Sequence, residues 1–225
     1  MISRGVEEFC EMFNRAQAFT TTPGQNGWTI ADTSSSGTPT YLCITEDGGA
    51  AKLTLAATSE AENVCLYTND VLPYDLRNLQ RVDFIAQVAG IDAATVCVFG
   101  VGSARADDED TVAINAWFKL EGATSTSALV VESDDATNDN NDVATGTTLA
   151  SVYKKCSIDF SQGLSDVRFF VDGERVAAST TFDMSDASAG ANVQLMAQLS
   201  KASGTGTPSL TIAKIEAVYK YAYGA

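Results

Sequence analysis

Cys156-Ser-Ile-Asp-Phe-Ser-Gln-Gly-Leu-Ser-Asp-Val-Arg-Phe-Phe-Val-Asp-Gly-Glu-Arg-Val176 alternates apolar and polar residues, breaks at Gln162-Gly163, alternates again, turns at Asp172-Gly173 and restarts. Alternation at period two marks strands with one buried face. Asp-Gly between two such runs supplies the positive φ values of a type I′ hairpin turn. A two-residue loop sets Phe169 against Val176 and Val167 against Ala178 on one side, and Phe170 against Arg175 on the other. The segment predicts an antiparallel β-sandwich, a scaffold rather than a catalyst.

From Trp28 onward the chain keeps this character. Strands are expected near 28–32, 40–46, 51–57, 62–68, 81–88, 95–102, 111–119, 126–132, 152–160, 165–172, 174–179, 192–200 and 209–221. Short strands at this spacing suit a large jelly roll. Val82, Phe84, Ala86 and Val88 share one side of their strand, as do Val112, Ile114, Ala116 and Phe118, and Val193, Leu195, Ala197 and Leu199. These are the expected core. Between strands, only the stretch from Asp70 to Asn78 could hold a helical turn. Residues 28–225 therefore read as one sandwich domain. Residues 1–27 read as a helical arm and linker: Val6, Phe9, Cys10, Phe13 and Ala16 fall on one helical stripe, and Pro23, Gly24 and Gly27 break it. A helix this short is marginal alone, so Phe9 and Phe13 need a surface to bury them, their own sandwich or a neighbouring subunit.

The totals bound the function. A chain of 225 residues can bury a sizeable core without metal or disulfide. Fourteen Lys and Arg against 29 Asp and Glu leave a net charge of −15, which disfavours nucleic acid as a partner. No apolar run is long enough to span a membrane, and Met1-Ile-Ser-Arg-Gly-Val-Glu-Glu lacks the apolar core of a signal peptide, so synthesis in a cytoplasm is expected. Cys10, Cys43, Cys65, Cys97 and Cys156 are widely spaced, suggesting reduced thiols, four of them within apolar strands. The chain has no histidine, which removes Ser-His-Asp and Cys-His machinery.

Ile158-Asp-Phe-Ser, Asp166-Val-Arg-Phe-Phe-Val-Asp-Gly-Glu-Arg-Val176, Thr181-Phe-Asp-Met-Ser185 and the run from Gln198 to Thr207 leading into Leu210-Thr-Ile-Ala-Lys-Ile-Glu216 resemble the second half of concanavalin A-like (laminin-G-like) jelly-roll domains. In this wording they resemble structural proteins of tailed bacteriophages. The resemblance spans roughly residues 28 to 221 and is concentrated after residue 150. It implies an all-β, antiparallel jelly-roll sandwich. For role it implies a virion structural protein, a capsid decoration (cement) or minor capsid protein on the virion surface. The partners so implied are the major capsid protein or other virion proteins, with a trimeric homo-oligomer by analogy.

The candidate contact face follows from strand phase. Trp117 points away from the core set, with Asn115 and Lys119, and Phe170 and Arg168 oppose Val167, Phe169 and Val171. Asp83, Gln87, Gln194 and Gln198 are expected on the same outward side. Aromatic and Arg side chains suit a protein interface. The same ring-and-amide combination suits a sugar, which makes a carbohydrate-binding module on a tail or adsorption structure the alternative. A glycan-cleaving enzyme would need two carboxylates on one strand in a Glu-x-Asp-x-x-Glu arrangement, which the expected strands lack. The stretch from Asp134 to Asp142 carries oxygen ligands of the kind calcium takes, but its spacing fits no calcium loop and a polar hairpin explains it without metal. No catalytic residue and no cofactor is expected.

Overall fold

The computed structural model describes residues 4–15, 19–187 and 191–222. In chain order the strands are β1 (Arg4–Glu11), β2 (Thr29–Asp32), β3 (Thr40–Ile44), β4 (Ala50–Thr54), β5 (Glu62–Tyr67), β6 (Tyr74–Asp75), β7 (Leu79–Ala89) and β8 (Thr95–Gly102). They continue with β9 (Asn115–Glu121), β10 (Ala128–Asp134), β11 (Asp139–Thr148), β12 (Lys154–Asp159), β13 (Arg168–Val171), β14 (Glu174–Val176), β15 (Asn192–Lys201) and β16 (Ser209–Ala222). They form two sheets. Sheet I runs β14-β13-β12-β7-β16-β4-β3, and sheet II runs β11-β10-β9-β8-β15-β5-β2 with β6 beside β15. All pairings are antiparallel, giving the sandwich that the alternation predicts.

Alternation also places the core. Val82, Phe84, Ala86 and Val88 of β7 bury against Val193, Leu195, Ala197 and Leu199 of β15 and Ala116 and Phe118 of β9 within one continuous cluster. Val112 does not join them: it lies in the connection before β9 and packs with Trp117 in a second, smaller cluster. Phe84, Phe99, Phe118, Phe169 and Phe182 form a chain of rings with successive centroids 5.6, 5.6, 5.5 and 4.9 Å apart. Each such pair adds about 0.5–1.5 kcal/mol beyond burial. Cys65, Cys97 and Cys156 are buried thiols, and Cys65 is pushed up to about 12 by burial, so it behaves as a small apolar side chain.

The Asp172-Gly173 hairpin forms as read, with Phe169 opposite Val176 and Phe170 opposite Arg175, and both turn residues at positive φ (52° and 88°). Val167 is the exception. It pairs with Phe182, not Ala178, because Ala177 adopts φ 50° and ends β14 at Val176. The stretch from Asp70 to Asn78 holds the short strand β6 in place of a helical turn. The polar stretch after residue 138, expected as a loop, is the ten-residue edge strand β11.

The N-terminal helix is not formed. Arg4–Glu11 is a strand paired over eight residues with the C-terminal half of β16, from Ile215 to Ala222. β4 occupies the start of that same edge of β16, so without β1 the remaining backbone groups would stand open. A full ladder satisfies them, whereas an isolated short helix is marginal in water. The expected stripe residue Ala16 lies outside the described residues. Phe9 sits 6.4 Å from Trp28 between ring centroids. Phe13 is 2% exposed between Phe19 (5.9 Å) and Trp28 (5.8 Å), and Glu11 accepts hydrogen bonds from Phe13 N and Trp28 Nε1.

The N-terminal segment is thus part of the sandwich core. Phe13→Ala should cost about 3–5 kcal/mol of stability, the usual range for a buried Phe. Chemical denaturation measures it; an unchanged midpoint would show that the segment is an accessory arm.

Candidate functional site

The outward-facing residues do not form one platform. Trp117 and Asn115 on β9 and Gln194 and Gln198 on β15 share the outer side of sheet II, while Phe170 and Arg168 on β13 and Asp83 and Gln87 on β7 share the outer side of sheet I. Alternation assigns a side chain to a side of its strand but not to a sheet. Phe9 and Phe13 join the core at Trp28.

Around Trp117, sheet II's outer side is closed. Residues 103–112, between β8 and β9, fold back over it. Gln194 Nε2 donates to Ser103 O (3.0 Å) and Asp70 Oδ1 (2.6 Å), and Gln198 Nε2 donates to Asp107 O (3.1 Å). Asn115 Nδ2 donates to Val112 O (3.2 Å), and Val112 packs on Trp117, Val98 and Met196. Trp117, Asn115, Gln194 and Gln198 are each at most 1% exposed. β9 approaches β8 closely here because residue 100 is Gly; a Cβ there would come within 2.4 Å of Ala116 O and 2.6 Å of the Trp117 Cα and Cβ. The amides that looked like sugar ligands hold the covering loop.

At the margin of that loop, Lys119 carries four carboxylates. Its Nζ lies 2.9 Å from Asp110, 3.4 Å from Asp142, 3.5 Å from Glu132 and 3.9 Å from Glu109. One ammonium cannot neutralise four acids, and the most buried of them keeps its proton longest. Burial pushes Glu132 up to about 7 against the opposing pull of Lys119, and burial raises Glu109 as well. Lys119 is opposed by its own burial, yet the Asp110 hydrogen bond and the surrounding carboxylates raise it overall. With its side chain 2% exposed, Glu132 presents no surface to a ligand.

Sheet I's outer side holds an open groove of about 410 Å³, lined by Phe170, Ser157, Asp159, Arg81, Lys155 and Gln80 among others. Cross-strand register builds it in rows. Phe170, Ser157, Asp83 and Glu216 stand side by side from β13 to β16, and next to them run Arg168, Asp159, Arg81 and Val218. Asp83, 2% exposed, lies 3.0 Å from Arg81 Nε and 2.9 Å from Lys155 Nζ, held by charge rather than by well-aligned hydrogen bonds. Glu216 accepts from Lys214 and from Arg81 Nη2 (3.0 Å); the Lys214 hydrogen bond holds its carboxyl below the usual range. Asp166 takes both Arg168 (2.9 Å) and Arg175 (3.2 Å). Of these residues, Phe170, Arg168 and Asp83 were visible from strand phase. Arg81, Lys155, Ser157 and Asp159 carry the same outward phase, but nothing in the sequence says that their strands are neighbours.

The hairpin from Asp134 to Asp142 uses its oxygens internally. Asp135 accepts from the backbone N–H groups of Thr137, Asn138 and Asp186 and from Asn138 Nδ2. Burial would raise its pKa, but these bonds together lower it. Asp134 accepts from Ala136 N, and Asp139 from Asn141 Nδ2. Among the described residues no group of three or more Asp, Glu or Cys side chains is disposed to hold a metal ion.

No protein-family model matches the chain, and no curated protein matches it significantly. Solved structures do. A protein of unknown function from Shewanella oneidensis MR-1 superposes with a TM-score of 0.59 at 11% identity, over 100% of this chain and 91% of its own. The carbohydrate recognition domain of Emp47p gives 0.59 at 9% identity, over 94% of each chain. A structure from work on endo-acting O-glycanases of the human gut microbiota gives 0.62 at 11%, over 94% of this chain and 98% of its own. At such identities the likeness establishes the fold alone, a two-sheet antiparallel β-sandwich. Nothing among these matches points to a virion protein.

The acid cluster generates a pH prediction. Below about pH 4.5 Glu132 is protonated whether the chain is folded or not. Between there and about 7 the unfolded chain has released the proton while the folded chain retains it, so stability falls as pH rises. Glu132→Gln should flatten the stability profile between pH 5 and 7, read by urea denaturation. An unchanged slope would place the titration elsewhere.

Proposed function

We propose that this protein is a non-catalytic carbohydrate-binding module whose ligand lies in the groove on the outer side of sheet I. The observation that carries the reading is the groove itself: the half-buried ring of Phe170 stands beside the Ser157 hydroxyl, the Gln80 amide and the charged groups of Asp159, Arg81 and Lys155. An apolar face edged by a few convergent polar groups is the usual composition of a small-ligand site. The shared fold with a carbohydrate recognition domain supports the assignment.

The way Glu216 and Asp83 are held favours binding without turnover. Glycoside hydrolysis needs one carboxyl that keeps a proton to donate. Glu216 is held ionised between Lys214 and Arg81, and Asp83 sits between Arg81 and Lys155. The carboxyl that does hold a proton near neutrality, Glu132, is buried on the other sheet. A capsid-decoration subunit would use the same open face for protein contact, and the sequence resemblance to phage structural proteins is what favours that second reading.

Screening the full chain against a glycan array, followed by calorimetry on the strongest hit, tests the proposal. Phe170→Ala should weaken binding about tenfold or more, about 1.4 kcal/mol, with the fold intact by circular dichroism. Trp117→Ala, if folded, should bind like the parent protein. Absence of binding to any glycan, with self-association or capture by shell proteins through this face, would favour the contact surface.

A further inference from the structure

We infer that the groove on sheet I selects sugars bearing an anionic group, a carboxylate or a sulfate ester; this rests on the glycan-binding reading above. Charge distribution carries the inference. Around the groove stand Arg81, Lys155, Arg168, Arg175 and Lys214, five of the chain's 14 Lys and Arg, against Asp83, Asp159, Asp166, Glu216 and, on β1 opposite Val218, Glu8, five of its 29 Asp and Glu. The rest of the chain therefore holds the entire negative excess. An anionic ligand is repelled elsewhere and meets cations here, a focusing effect that raises its local concentration.

The ion-pair pattern points the same way. Asp83 is shared by Arg81 and Lys155, Glu216 by Arg81 and Lys214, and Asp166 by Arg168 and Arg175. Three carboxylates thus serve five cations. Each cation keeps N–H groups that these carboxylates do not use, since an ammonium has three donors and a guanidinium five. Arg81 and Lys155 are 45% and 48% exposed at the side chain, and both line the groove. Asp159, between Arg168 and Arg81 in the cross-strand row, is the one carboxylate facing the groove from among them, with one oxygen accepting from Ser161 N. A sugar carboxylate or sulfate placed beside Lys155 and Arg81 would take up their open donors while the pyranose face rests on Phe170.

Calorimetry with matched oligosaccharides tests this: a uronic-acid-containing oligomer, its carboxyl-reduced form, a sulfated oligomer and its desulfated form. At low salt at least one acidic member should bind tenfold or more tightly than its neutral partner, and the gap should shrink at 0.5 M NaCl as screening grows. The arm that shows the gap identifies which anionic group is read. Lys155→Gln and Arg168→Gln should each reduce the ratio of acidic to neutral affinity, whatever they do to neutral binding itself; both spare the Arg81 contacts to Asp83 and Glu216. Equal affinity within both pairs, or a preference that neither substitution alters, would overturn the inference and leave the glycan reading standing. Binding to no member of either pair would overturn the inference, and the glycan array would decide the glycan reading separately.

Discussion

The sandwich depends on the chain of rings that crosses between its sheets. Phe84 comes from β7 of sheet I, Phe99 and Phe118 from β8 and β9 of sheet II, and Phe169 from β13 of sheet I, with Phe182 closing the row. Their contacts fix the relative placement of the sheets within one continuous apolar core, and burial of apolar area is the dominant stabilising term. The outer faces inherit their geometry from this layer. Because Phe169 must point inward, its neighbour Phe170 must point outward beside Ser157.

The two outer faces diverge from there. Sheet II is covered by its own chain around Trp117: residues 103–112 seal Trp117, Asn115, Gln194 and Gln198, and these amides are spent on the seal. Among the described residues none covers sheet I over β12, β13 and β7 in this way, and its charges are distributed in shared pairs around an open groove. One fold thus yields an acid cluster around a buried Lys119 on one side and a solvated, nearly balanced patch on the other.

Much of this was legible in the sequence. The Asp172-Gly173 turn demands positive φ twice, and the alternation of Phe169 and Phe170 then fixes two faces. What the sequence could not convey is which strands are neighbours. Trp117 and Phe170 share an outward phase yet belong to different sheets. β11 escaped notice because Asp139, Asn140, Asn141 and Asp142 are poor strand formers; only its partner β10 holds it extended, and its charge protects the exposed edge. The N-terminal strand escaped for the opposite reason: an apolar stripe at helical spacing is real, but the open edge of β16 offers eight residues of ladder that no local pattern announces. The covering loop gave one signal, the run of carboxylates from Asp107 to Asp110, which reads as a solvated turn until Lys119 is placed beneath it.

The central claim is that ligand recognition belongs to the open face of sheet I and not to the sealed face of sheet II. Backbone and indole chemical shifts of the full chain, followed during titration with the strongest-binding glycan, test it most directly. The account predicts shifts at Lys155, Ser157, Asp159, Phe170 and Arg81, with the Trp117 indole signal unmoved. Shifts confined to Trp117 and residues 103–112 would contradict it.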